Sequence, residues 1–200
     1  MIDHILLDVI GAIKEAFEGA LLEQQPVEER FQMDVFLGDL SFETSYSLPG
    51  EGSPARVRAD LSLDWPTWSQ SAYRSWSIGE PPAEPPELVV ELAFRLQNLV
   101  EAPDHEKVTA VLDDKGPELG GEHLERGAPT VEQIFSASAD ESVAAFEVAY
   151  QGSLRLDDAV LEDPAKLDDQ VSSLARWVAS ALVRLADLQL PFRPPEEDAV

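Results

Sequence analysis

Apolar and polar residues alternate between positions 31 and 48, but the phase of the alternation changes midway. Phe31, Met33, Val35 and Leu37 occupy odd positions, whereas Leu40, Phe42, Tyr46 and Leu48, beyond Gly38, occupy even ones. Strand side chains alternate faces with period two, so the pattern predicts one long strand whose phase slips by a residue. Gly38 sits at the slip, where a β-bulge forms most easily, and a bend is expected there. Asp39 and Glu43 lie four apart on the half after the bend. They therefore share one face, opposite Leu40 and Phe42.

Further elements follow from the same periodicities. Ile2, Ile5, Leu6, Val9, Ile13, Phe17, Ala20 and Leu21 recur three and four apart, which predicts an amphipathic helix over 2–22 ending before Pro26. Pro49 to Pro54 is a turn cluster, and Val57, Ala59, Leu61, Leu63 and Trp65 then alternate as a second strand. Residues 66–87 form a connection rich in Pro and Ser that carries Trp68, Tyr73, Trp76 and Ile78. A third strand runs from Leu88 to Val100. Residues 101–135 read as a polar excursion with a short helix near 104–113. A fourth strand covers 142–156, with Phe146, Val148, Tyr150, Leu154 and Leu156 in phase across Gly152.

The closing element is a long helix, with Asp163 as its cap and Pro164 in the first helical position. Its core stripe is Leu167, Val171, Leu174, Val178, Ala181, Leu182 and Leu185. The expected fold class is α+β: a four-stranded antiparallel sheet packed against a long C-terminal helix, with an N-terminal amphipathic helix. The domain organisation is an N-terminal helix extension over 1–25, an α+β domain over 30–195 and a disordered acidic tail over 196–200.

Composition narrows the function classes. Apolar residues make up 44% of the chain, with four Trp and eight Phe, as in a folded protein. The absence of Cys excludes disulfides, thiolate metal sites and cysteine nucleophiles. No run approaches the roughly 20 apolar residues of a membrane span, and no signal-peptide pattern opens the chain, so a cytoplasmic location is expected. Acidic residues number 39 against 14 basic ones, a net charge of −25. That balance argues against nucleic acid and anionic membranes, which are bound through Lys and Arg. It fits either a cationic partner or a host with a salty cytoplasm, where the Debye length falls to about 3 Å near 1 M. Four Lys beside ten Arg leans towards salt.

Five segments, taken in order, resemble the SecB protein-export chaperones and their relatives associated with toxin–antitoxin systems. Phe31-Gln-Met with Gly38-Asp-Leu-Ser-Phe-Glu43 is similar to that family's first strand, and Arg56-Val-Arg-Ala-Asp-Leu61 to its second. Glu87-Leu-Val-Val-Glu-Leu92 resembles the third strand and Phe146-Glu-Val-Ala-Tyr-Gln-Gly152 the fourth. Leu174-Ala-Arg176 opens a stretch resembling the main helix, with a proline-rich close at Leu190-Pro-Phe-Arg-Pro-Pro195. The family's aromatic crossover loop has no equivalent in Pro49 to Pro54; here the aromatics follow the second strand.

The resemblance implies an ATP-independent holdase, a homo-oligomer (dimer or tetramer), that keeps unfolded clients from collapsing. It implies a handover to a SecA-type motor or a link to a toxin–antitoxin pair, with no cofactor and no metal. By the same resemblance Asp39, Glu43 and Glu147 match positions of an acidic partner surface. Candidate client-binding residues are Trp65, Trp68, Tyr73, Trp76 and Phe42, because amphipathic aromatics supply contact area at low entropy cost. An alternative class is a structural adaptor that docks a folded partner through its N-terminal helix. An enzyme is not expected. His105 and Glu106, with Glu122 and His123, match no ligand spacing, no Gly-x-Ser-x-Gly turn exists, and pairs such as Asp113/Asp114 are commonplace in so acidic a chain.

Overall fold

The computed structural model describes residues 11, 14–16, 19, 27–36, 39–49, 55–135, 142–156, 160 and 164–193. Among these residues there are eight strands: β1 (Val27–Phe36), β2 (Asp39–Ser47), β3 (Val57–Trp65), β4 (Glu87–Leu99), β5 (Lys115–Leu119), β6 (Glu122–Arg126), β7 (Thr130–Phe135) and β8 (Ser142–Arg155). Three helices with both ends among the described residues accompany them: α1 (Thr67–Ser77), α2 (His105–Thr109) and α3 (Pro164–Ala186). All eight strands belong to one antiparallel sheet of order β1-β2-β3-β4-β8-β6-β5, and β7 pairs with β8 off this path. The α+β class and the C-terminal helix are as expected. The sheet has twice the expected number of strands.

The single bent strand over 31–48 is a correction. The chain reverses between Phe36 and Asp39, so β1 and β2 form a hairpin in which Met33 stands opposite Phe42 and Val35 opposite Leu40. Residues directly opposite in an antiparallel pair share a face. Odd positions of β1 oppose even positions of β2, so the phase change marks a two-residue connection and not a bulge at Gly38. The irregularity in this pair falls instead between Glu28 and Arg30.

The excursion over 101–135 also differs from expectation, because it supplies α2 and three sheet strands. β7 and β6 lie in succession along the same edge of β8: Thr130 to Phe135 pair with its first half, and Glu125 and Arg126 with Gln151 and Tyr150. The Pro- and Ser-rich connection after β3 holds α1. Of the predicted N-terminal helix, residues 11, 14–16 and 19 are helical and Ala16 packs against the core; the rest lies outside the described residues, as do the predicted cap Asp163 and the tail 196–200.

The core lies between the sheet and α3. Every predicted stripe residue of α3 is buried, against Leu61, Leu92, Phe94, Val148 and Tyr150 from the central strands. Trp177 closes the interface, with its ring 5.4 Å from Phe94 and 4.9 Å from Tyr150, both edge-on. After α3 the chain runs back along β4, where Val100 donates to Pro191 (2.9 Å) and Arg193 to Asn98 (2.7 Å). Among the described residues no helix is long and apolar enough to cross a membrane.

Candidate functional site

Alternation on the central strands puts apolar residues under α3 and leaves the opposite face polar. On β3 the buried positions are Val57, Ala59, Leu61, Leu63 and Trp65, so Arg58, Asp60, Ser62 and Asp64 face the other way. Register then aligns rows across the sheet. Glu43 stands opposite Ser62, Ser62 opposite Glu91, and Glu91 opposite Gln151; Arg58 stands opposite Arg95, and Arg95 opposite Glu147.

Small side chains at Ser41, Ser45, Ser62 and Ala93 leave depth between the taller carboxylates. The result is a hollow of about 430 Å³ walled by Glu43, Asp60, Asp64, Glu91 and Glu147. Part of its charge is neutralised internally. Asp60 accepts from Ser45 Oγ (2.5 Å) and from Arg58 Nε (3.0 Å), and Glu91 accepts from Gln151 Nε2 (3.3 Å). Arg95 donates to Glu132 at 2.9 Å. The acids outnumber the two Arg, so the face is a negative surface built on rigid strands, suited to accepting hydrogen bonds from cationic groups.

The predicted acidic trio separates. Glu43 and Glu147 line the hollow, whereas Asp39 accepts hydrogen bonds from Thr67 N–H and Oγ1 at the start of α1. These two bonds hold the Asp39 carboxyl below the usual carboxylate range. Asp60, Asp64 and Glu91 complete the surface without having been singled out from sequence. Their signal was present in the strict alternation of 57–65 and 88–96.

The aromatic candidates do not form one surface. Phe42 and Trp65 are wholly buried and Tyr73 nearly so, with the Trp65 and Tyr73 rings 5.9 Å apart and Trp76 stacked next at 5.7 Å. They are core residues that fix α1 to the sheet. Trp68 alone of the five is widely exposed, at 45%, beside a smaller hollow of about 270 Å³ with Glu84, Pro85, Glu87 and Arg155.

No group of three or more metal-binding side chains occurs among the described residues. His105 rests edge-on against Phe146 at 5.2 Å, and His123 Nδ1 lies 2.9 Å from the Gly116 carbonyl. Asp113 is taken up by Trp177 and Arg184, and Asp114 by Arg126. Comparison with protein-family models, with curated proteins and with solved structures finds no match for this chain.

Proposed function

We propose that this chain is an ATP-independent holdase that binds unfolded polypeptides, related to the SecB-like chaperones that its sequence resembles. The observation that carries this reading is the acid-walled hollow on the sheet face turned away from α3. Glu43, Glu91 and Glu147 stand there on a chain of net charge −25, so the local field draws in cationic segments and raises their rate of encounter. Strands hold the carboxylates in place, and a basic segment docks without first having to order the surface. In this reading the clients are extended chains with basic stretches. The onward partner is a SecA-type motor or a toxin–antitoxin pair, and the working form is a homo-oligomer.

The test is mass by light scattering with and without an unfolded polypeptide, at low and high salt and without nucleotide, alongside an aggregation assay. A complex and suppressed aggregation are expected, both weakening as salt rises. Replacing Glu43, Glu91 and Glu147 together by Gln is expected to weaken capture about tenfold and to flatten its salt dependence, at a few tenths of a kcal/mol per exposed charge. A strict monomer with no effect on aggregation sinks the proposal.

A further inference from the structure

A sheet that ends on an unpaired strand presents a row of N–H and C=O groups that another chain can pair with, and proteins usually guard such edges with charge, proline or cover. The edges of this sheet are guarded unequally. β1 carries Glu28, Glu29, Arg30 and Asp34, and the short β5 carries Lys115 and Pro117. β7 reads Thr-Val-Glu-Gln-Ile-Phe, with no proline and one charge, and that charge is already paired with Arg95 at 2.9 Å. Among the described residues β7 pairs with β8 alone, and all four residues 130–133 are exposed.

Register defines what would fit there. Thr130 stands opposite Glu147, so Thr130 and Glu132 lie on the acidic face. Val131 stands opposite the buried Phe146 and is 36% exposed, so an apolar shelf continues past β8 on the other face. A strand added beside β7 would set alternate side chains next to Val131 and next to Glu132, with Glu147 one strand further in. We propose that the β7 edge is a strand-addition site for an extended segment that alternates apolar and basic residues. A second copy of this chain is the poorer occupant, since it would bring another −25 of charge to the same edge. The proposal deepens the holdase reading and rests on it for the identity of the occupant as a client segment.

The experiment uses the full chain and three fluorescent nine-residue peptides: one alternating Val and Lys, one alternating Val and Glu, and the Val–Lys peptide with its central residue replaced by Pro. The Val–Lys peptide is expected to bind and to slow amide exchange at residues 130–133. The Val–Glu and proline-interrupted peptides are expected to bind at least tenfold more weakly, the latter despite its almost unchanged charge. Glu132→Lys, at a site 58% exposed, is expected to weaken Val–Lys binding about tenfold while exchange elsewhere stays as in the parent. Equal binding of the proline-interrupted peptide, protection that maps away from β7, or an unaffected Glu132→Lys variant overturns the proposal. Aggregation suppression without β7 protection leaves the holdase reading standing and removes the edge; β7 protection without aggregation suppression does the reverse.

Discussion

The carboxylate of Asp39, the first residue of β2, accepts two hydrogen bonds from Thr67, one from its backbone N–H at 2.6 Å and one from its hydroxyl at 2.7 Å. Thr67 is the first residue of α1, and the position before it is Pro66, whose side chain makes no cap. A helix start leaves backbone N–H groups unmatched, and here an acid 28 residues upstream supplies the acceptor and a favourable charge for the dipole.

Asp39→Asn is therefore expected to lower the urea midpoint at neutral pH with little change in the slope. Its pH dependence has a definite sign. The folded pKa of Asp39 lies below its ordinary value of 3.8, so its contribution is fully present above that value and is lost as pH falls through the folded pKa. The gap between parent and variant should close below about pH 4. A gap that persists unchanged at lower pH would show that the charge is not what caps α1.

Ser69 joins α1 to both neighbouring strands. Its Oγ accepts from Trp65 Nε1 (3.1 Å) and from the Glu87 N–H (2.8 Å), and donates to the Glu87 carbonyl (2.5 Å), while the residue is wholly buried. Ser69→Ala takes the acceptor from the buried Trp65 Nε1 and the part-buried Glu87 N–H, and is expected to cost about 3 kcal/mol in chemical denaturation. Ser71→Ala is the control. That hydroxyl is exposed and bonds only to the Thr67 carbonyl of its own helix, so a change within about 0.5 kcal/mol is expected. Equal costs for the two variants would falsify the assignment.

These contacts show where sequence reading reaches and where it stops. The strand Val57–Trp65 and the buried stripe of α3 were legible because each buries one face and the periodicity records it. The hairpin at Phe36 and Asp39 was misread because a bulge and a two-residue reversal shift the alternation by the same single residue. β5 and β6 were missed because they bury little of their own, chiefly Leu119 and Leu124. What holds them is distant. Arg126 donates to the carbonyls of Thr109 (3.2 Å) and Leu112 (3.0 Å), and Tyr150 to that of Asp113 (2.6 Å). The site was half legible: the shared face of Asp39 and Glu43 follows from spacing, but the partner that removes Asp39 from the acidic surface lies on another element.

The turn between β5 and β6 tolerates no side chain at Gly120. Its φ is +60°, and a Cβ there would sit 2.4 Å from the backbone nitrogen of Arg155. Gly152 is different, because a Cβ would meet the end of the Leu124 side chain at 2.7 Å, which can rotate away. Gly120→Ala is expected to cost about 3 kcal/mol and Gly152→Ala about 1 kcal/mol by chemical denaturation. Leu124→Ala should remove most of the Gly152 penalty and none of the Gly120 penalty. Rescue of Gly120→Ala by the same change would contradict this account.

Asp113 pins the loop before β5 to α3. Its Oδ2 accepts from Trp177 Nε1 at 2.8 Å and from Arg184 Nη2 at 3.1 Å, and these donors, Trp177 foremost, hold its carboxyl below the usual range. Its backbone carbonyl accepts from Tyr150, whose hydroxyl is pushed up mainly by burial. Trp177→Phe keeps an aromatic ring against Phe94 and Tyr150 but deletes the donor. Asp113→Ala deletes the acceptor. Each is expected to cost about 1 to 2 kcal/mol, and the pair should cost less than the sum by about 1 kcal/mol, because both remove the same bond. The stability lost in Asp113→Ala should itself shrink as pH falls below the ordinary Asp value, since the parent loses its charge there. Strict additivity in urea unfolding would mean that the Trp177 N–H is satisfied without Asp113, and the pin would have to be assigned to Arg184 alone.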